Sequence, residues 1–260
     1  MIRREAYGIV LLVSIWADDC PATSIVAIRS HDTVAIAADS LLTIHNRNGD
    51  DTVLPACKIF RSGKIFYTFT GFFRDPARGF DVVSIVEKNL PEDGLFGAAT
   101  EKAATAVVAG MRGEIQKIRS EDPPLYKKHF EAATGPLLQL LFATSEAGVP
   151  VMTVYDIRKS ALFPSDGELR YERLSCPGDC GAQGQVAYFL TDTRPIEKYL
   201  KKEKLVIRSP EETAAFLVRL VIDAHTPDTA PPVDVLRIDG NGAAWVVRKK
   251  ECPDLPSAEQ

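Results

Sequence analysis

The chain predicts an α+β fold in one domain. Strand-like and helix-like segments come in blocks (strands, two helices, strands, helices, strands). That order argues against a doubly wound parallel sheet. No low-complexity tract or strong linker divides the 260 residues, a length that suits one large domain. Hydrophobic residues make up 45% and charged residues 25%, enough apolar matter to offset chain entropy, so a disordered chain is not expected.

The elements follow in order. Residues 1–5 are short and basic, 6–17 form a compact apolar run, and Asp18-Asp19 and Cys20-Pro21-Ala22 come next. This is the layout of a secretory signal peptide, so residues 1–22 read as one. The alternative is a buried first strand, because 9–15 is β-branched and leucine-rich. Residues 23–29 (TSIVAIR) and 33–38 (TVAIAA) read as strands with a turn at His31-Asp32. Residues 46–51 are a polar loop. Residues 58–60 and 64–70 flank Ser62-Gly63 and predict a hairpin.

Helical spacing begins with Phe80, Val83, Val86 and Leu90 and stops at Pro91. A longer helix is predicted over 95–118, with Ala104, Val107, Val108, Met111, Ile115 and Ile118 on one face. Pro123-Pro124 breaks the chain, and a short helix is expected over 126–132. Strands are predicted over 137–144, 149–156 and 168–174. Residues 183–190 and 196–201 read as helical, and 211–224 as an amphipathic helix. Residues 233–238 and 243–248 predict a closing hairpin. Residues 251–260 read as a loose tail, which leaves 23–250 as the single domain.

Several function classes drop out. Lys+Arg number 31 against 35 Asp+Glu, a net charge of −4, which argues against a general nucleic-acid binder. No apolar run approaches the roughly 20 residues of a spanning helix, so no stable membrane anchor is expected. There is no phosphate-binding glycine loop, HExxH motif or GxSxG elbow. The four histidines, His31, His45, His129 and His225, lack metal-ligand spacing, and Cys176-x3-Cys180 has no second ligand pair beside it. No metal and no cofactor are implied. Removal of residues 1–22 would take Cys20 and leave four of five cysteines, an even count that permits disulfides in an exported protein. Cys176 and Cys180, in a Pro/Gly-containing loop, are the leading pair. Four unpaired thiols are the alternative.

The segments Thr23-Ser24-Ile25-Val26-Ala27-Ile28-Arg29, Val34-Ala35-Ile36-Ala37-Ala38-Asp39-Ser40, Cys57-Lys58-Ile59 and Phe69-Thr70-Gly71 form a pattern. It resembles the N-terminal half of a proteasome β-subunit, an N-terminal-nucleophile (Ntn) hydrolase. The family spacing is matched by Asp39, which lies 16 residues after Thr23. The resemblance is good over 23–90 and beyond that rests on element order. It implies an αββα four-layer sandwich and a threonine hydrolase that cleaves peptide or other amide bonds through an acyl-enzyme. Thr23 would be the nucleophile, Lys58 its electrostatic activator and Asp39 the partner orienting the lysine. Backbone N–H groups at Gly71 and Phe72 would form the oxyanion hole, with Asp228 and Gly181 as supporting positions. Family members assemble into rings, which implies a homo-oligomer.

The chemistry is coherent. A threonine hydroxyl needs a base, and a free α-amine with a pKa near 7.7–8.0 can serve. A nearby ammonium would lower that value and steady developing negative charge. Cleavage after Ala22 would expose Thr23 directly, whereas cleavage after Ala17 would leave a five-residue pro-segment. The site would then be periplasmic or extracellular; without a signal peptide it would be cytoplasmic. The chain also departs from the family. Ala22 stands where the family has glycine, Pro231 replaces a serine after Asp228, no serine follows Gly181, and bulky Phe72-Phe73 follows Gly71. The alternative reading is therefore a catalytically inactive protein with a binding or assembly role.

Overall fold

The computed structural model describes residues 10–11, 23–45, 51–91, 94–160, 168–180, 185–203, 209–224 and 229–252. Its elements are strands β1 (Val10–Leu11), β2 (Ile25–Arg29), β3 (Thr33–Ala38), β4 (Leu41–His45), β5 (Asp51–Pro55), β6 (Phe60–Ser62), β7 (Ile65–Gly71), β8 (Arg74–Asp75) and β9 (Phe80–Asp81). Helices α1 (Val82–Asn89), α2 (Phe96–Glu121) and α3 (Pro123–Tyr126) follow, with a π turn over Lys127–Glu131. Then come β10 (Leu138–Glu146), β11 (Val149–Lys159), β12 (Leu169–Cys176), β13 (Val186–Leu190), α4 (Arg194–Leu200), α5 (Pro210–Asp223), β14 (Asp234–Asp239) and β15 (Gly242–Val247).

One sheet has the order β1-β13-β2-β3-β14-β15 and a second the order β12-β11-β10-β7-β6. Every pairing in them is antiparallel except β1 with β13. The pairs β4–β5 and β8–β9 stand as separate two-stranded sheets. The period of two in the strands divides their side chains. Ile25, Ala27, Val34, Ile36 and Ala38 pack toward Phe66, Leu141, Ala143, Met152 and Val154 of the second sheet. Val26, Ile28, Ala35 and Ala37 pack toward Ala214, Leu217, Val218 and Val221 of α5. Both faces are thus covered, which is why β3 reads as an unbroken apolar run rather than an alternating one. A third core joins Val107, Met111 and Ile115 of α2 to Leu138, Leu140 and Phe142 of β10.

Local signals fix the helix ends. The Asp81 carboxylate accepts from the N–H groups of Val83 and Ser84 at the start of α1. The Ser209 hydroxyl accepts from Glu212 N–H at the start of α5, with Pro210 in its first turn.

The α+β class stands, but the expected αββα four-layer sandwich of Ntn type is corrected. The described residues give a sheet-rich fold built mainly on antiparallel strands, in four sheets, with five α-helices. Of these helices only α2 and α5 exceed eight residues. A helix with its side chains covers a strip about 10 Å wide, whereas six strands spaced about 4.8 Å apart make a much wider face. Helical cover is therefore partial, and the outer strand β15 leaves Val246 and Val247 exposed.

Two further expectations change. Residues 186–190 form a strand, not a helix, because their backbone pairs with β2 from Val186↔Arg29 to Leu190↔Ile25. The tail is not loose at its start: Cys252 is buried and disulfide-bonded to Cys57, while 253–260 lie outside the described residues. Within the segment read as a signal peptide, Val10 and Leu11 pair with Val186 and Ala187; the rest of 1–22 lies outside the described residues.

Candidate active site

Asp39 follows the last residue of β3 and is fully buried. Its carboxylate is completely used. Oδ1 accepts from Ser24 N–H at 2.8 Å and from Lys58 Nζ at 2.7 Å. Oδ2 accepts from Leu41 N–H at 3.0 Å and Ala230 N–H at 3.3 Å. The Asp39 N–H in turn donates to the Ser24 carbonyl at 3.0 Å. A carboxylate taken out of water needs such donors to remain charged.

Thr23 immediately precedes Ser24 and is half-buried. The Ser24 N–H belongs to the peptide that joins the two residues. Because that N–H and Lys58 Nζ share one Asp39 oxygen, Lys58 lies within two hydrogen-bond lengths of the Thr23–Ser24 peptide. The two-residue period of β2 puts Thr23 on the face of Ile25 and Ala27, toward the second sheet. Ser24 falls on the opposite face, with its hydroxyl buried and without a hydrogen bond among the described residues.

Lys58 lies between β5 and β6, outside both strands, and is almost wholly buried. Its carbonyl accepts from the Thr68 hydroxyl at 2.7 Å. The preceding residues are tied as well. Ala56 N–H donates to the Ser40 carbonyl at 2.9 Å, Lys249 Nζ donates to the Ala56 carbonyl at 2.5 Å, and Cys57 is bonded to Cys252. Lys249 also pairs with Asp234 at 3.1 Å. The 230–232 segment rests on the other side of Asp39: Ser40 N–H donates to the Ala230 carbonyl at 2.9 Å, and the Ser40 hydroxyl donates to the Pro232 carbonyl.

Thr23, Asp39 and Lys58 are thus brought together. Gly71 ends β7 with φ +109°, a conformation that favours glycine. The Phe72 N–H is spent on the Leu137 carbonyl at 2.7 Å, so it is not the oxyanion-hole donor that the resemblance implies. The Phe72 ring stacks on Phe80, and Phe73 packs on Phe69, so both rings belong to the α2-side core rather than to a cleft over Thr23. Asp228 and Gly181 lie outside the described residues. Cys176 and Cys180 are bonded to each other.

Sequence reasoning missed Thr68, the backbone N–H of Ala230, and the Cys57–Cys252 and Lys249–Asp234 links. Thr68 alone carried a local signal, a small polar side chain in an aromatic strand. Further along the face between the sheets, Tyr188 donates to Asp156 at 2.5 Å, and Gln139 donates to the same Asp156 oxygen at 2.9 Å. Burial, and then the Asp156 carboxylate, push the Tyr188 phenol far above its ordinary range.

Among the described residues no group of three or more His, Cys, Asp or Glu side chains could hold a metal ion. No described helix is long and apolar enough to cross a membrane. In comparisons with known proteins, no family model and no curated protein matches the chain.

Proposed function

We propose that the chain is an N-terminal threonine hydrolase, resembling proteasome β-subunits in its reacting residues, that cleaves peptide or other amide bonds. One observation carries this reading: the Asp39 oxygen that holds Lys58 Nζ also holds the peptide N–H following Thr23. An ammonium fixed beside the first residue of a mature chain suits an amine-activated hydroxyl.

The reaction runs in two steps. Once the chain begins at Thr23, its α-amine takes the hydroxyl proton and Oγ attacks the substrate carbonyl carbon. The C–N bond breaks, the leaving amine takes that proton, and an ester to Thr23 remains. Water then attacks the ester carbonyl and gives a proton to the α-amine, the C–Oγ bond breaks, and that proton passes to Oγ, which restores the threonine hydroxyl and releases the acid. Lys58 keeps the α-amine deprotonated and steadies negative charge on oxygen, while Asp39 keeps Lys58 charged and in place. Peptide groups along a strand alternate sides, and Phe72 N–H turns toward β10. Gly71 N–H then turns toward the β6 side, where Lys58 lies, and is the oxyanion donor in this reading.

The two disulfides suit an oxidising compartment, and export with loss of residues 1–22 would expose Thr23. Assembly into a ring belongs to the same proposal. A second reading, a non-catalytic binding protein, is favoured by one observation, the engagement of Phe72 N–H by Leu137.

The test uses protein recovered from an exporting host with its N-terminus read by mass spectrometry. Hydrolysis of fluorogenic peptide amides is expected from chains that begin at Thr23, together with a covalent adduct on Thr23 from a β-lactone. Thr23→Ser should keep activity and Thr23→Ala should lose it. Equal turnover by Thr23→Ala would overturn Thr23 as nucleophile, and a chain that never begins at Thr23 and hydrolyses nothing would favour the second reading.

A further inference from the structure

We propose that the Cys57–Cys252 disulfide is the positioning device for Lys58, so that the site is assembled in the oxidised chain and released on reduction. The catalytic consequence rests on the hydrolase reading; the geometric one does not.

The ion pair alone does not hold Lys58 in place. A buried ion pair is a poor anchor for itself, because the desolvation of two charges offsets most of their attraction. No strand ladder supplies the restraint, since residues 56–59 lie between β5 and β6.

A closed circuit of contacts does. Lys58 binds Asp39, and Asp39 follows Ala38, which pairs with Asp234 of β14. Asp234 accepts from the N–H of Lys249 at 2.8 Å and pairs with its Nζ. Cys252 N–H donates to the Lys249 carbonyl at 3.2 Å, and Cys252 is bonded to Cys57, the neighbour of Lys58. Lys249 Nζ closes the circuit a second time on the Ala56 carbonyl. The disulfide is the only covalent link in this circuit apart from the chain itself, and it spans 195 residues.

Reduction opens the circuit. A dithiol attacks one sulfur through its thiolate, the S–S bond breaks, and two electrons pass from the dithiol to the cysteines. Two cysteine thiols form, with the two protons that the dithiol gives up as it closes to its own cyclic disulfide. Of the two cysteines, Cys57 is the more open and Cys252 is buried. The 56–58 segment then keeps its noncovalent ties, such as the Thr68 hydroxyl on the Lys58 carbonyl, without the covalent one, and Lys58 gains access to water.

The experiment reads Lys58 directly. The folded protein is treated with limiting acetic anhydride, with and without dithiothreitol, and acetylation of each lysine is followed by peptide mass spectrometry. The exposed Lys64 serves as internal reference. Reduction should speed Lys58 acetylation at least tenfold relative to Lys64. A Cys57→Ser/Cys252→Ser chain should show the fast rate without reductant, whereas Cys176→Ser/Cys180→Ser should leave Lys58 slow. If the first double variant does not fold, the wild-type dithiothreitol series decides, with circular dichroism recording the folded state. A Lys58 rate that changes less than twofold on reduction overturns the proposal. So does reduction that unfolds the whole chain, because the bridge is then a general staple. Amide hydrolysis is measured in parallel, and kcat should fall with Lys58 release. An oxidised chain that begins at Thr23 yet hydrolyses nothing would end the hydrolase reading, while the labelling rates still decide the positioning role.

Discussion

Lys58 Nζ stands 2.7 Å from Asp39 Oδ1, and neither side chain is more than 7% exposed. Lys58 is the counter-ion of a carboxylate that also accepts from three backbone N–H groups. Lys58→Met should leave Asp39 buried without its counter-ion and cost about 3–5 kcal/mol. Adding Asp39→Asn to it should recover part of that loss, giving a double variant more stable than the two single costs imply. Urea denaturation of the four proteins would measure this coupling.

Gly71 has no room for a side chain. A Cβ there would lie 2.3 Å from the Leu137 carbonyl oxygen, and φ is +109°. Gly71→Ala therefore meets both a backbone clash and an unfavourable conformation, and should destabilise by at least about 2 kcal/mol. Its Tm should fall, and the Phe72 amide, bonded to the same carbonyl, should lose protection in hydrogen exchange.

Glu114 behaves oppositely to most paired carboxylates, although Arg78 and Lys117 stand 3.6 and 3.8 Å from it. It is buried on α2, and burial, with Asp75 next in effect, raises its pKa above the ordinary glutamate value. The folded state thus holds this proton more tightly than the unfolded chain. The contribution of Glu114 to stability falls as pH rises from the ordinary glutamate range through the folded pKa, then levels off. Glu114→Gln should raise Tm by a few degrees at pH 7. The gain should vanish near pH 3.5, where the wild-type residue is also neutral. Arg78 keeps Asp75 and Glu121 as partners in this variant. Thermal scans at the two pH values would check the sign.

The two disulfides should differ in worth. They close separations of 195 and 4 residues. In the chain-entropy account their contributions are about 5 and about 2 kcal/mol. Guanidinium denaturation of the two double-serine variants should show Cys57→Ser/Cys252→Ser as the less stable, by about 3 kcal/mol.

What could be read in the sequence was local. Residues 33–38 were legible to the residue because a β-branched, apolar run between turns allows little else. The periodic stripe of α2 was equally clear. Residues 186–190 were misread because QVAYFL is compatible with a helix, and its pairing with β2 comes from a segment far earlier in the chain, 163 positions for the pair Val26↔Phe189. Thr23, Asp39 and Lys58 were reached through the resemblance to a family pattern, and the structure brings the Thr23–Ser24 peptide, Asp39 and Lys58 together. The Phe72 amide was misassigned because the direction of a peptide group is set by its strand partner, here Leu137. Ala230 contributes only a backbone N–H, which no side chain advertises. The Cys57–Cys252 link was invisible for a simpler reason: pairing across most of the chain leaves no local trace. The layer arrangement failed because element order alone does not say how much of each sheet the helices cover.

The wiring around Asp39 also bears on when this cluster can form during synthesis. Asp39 and Lys58 leave the ribosome well before Ala230, Asp234, Lys249 and Cys252, on which they depend, and Ala230 follows Lys58 by 172 positions. A chain that stops before residue 230 lacks these donors and the second cysteine, so it carries Asp39 and Lys58 without the frame that joins them.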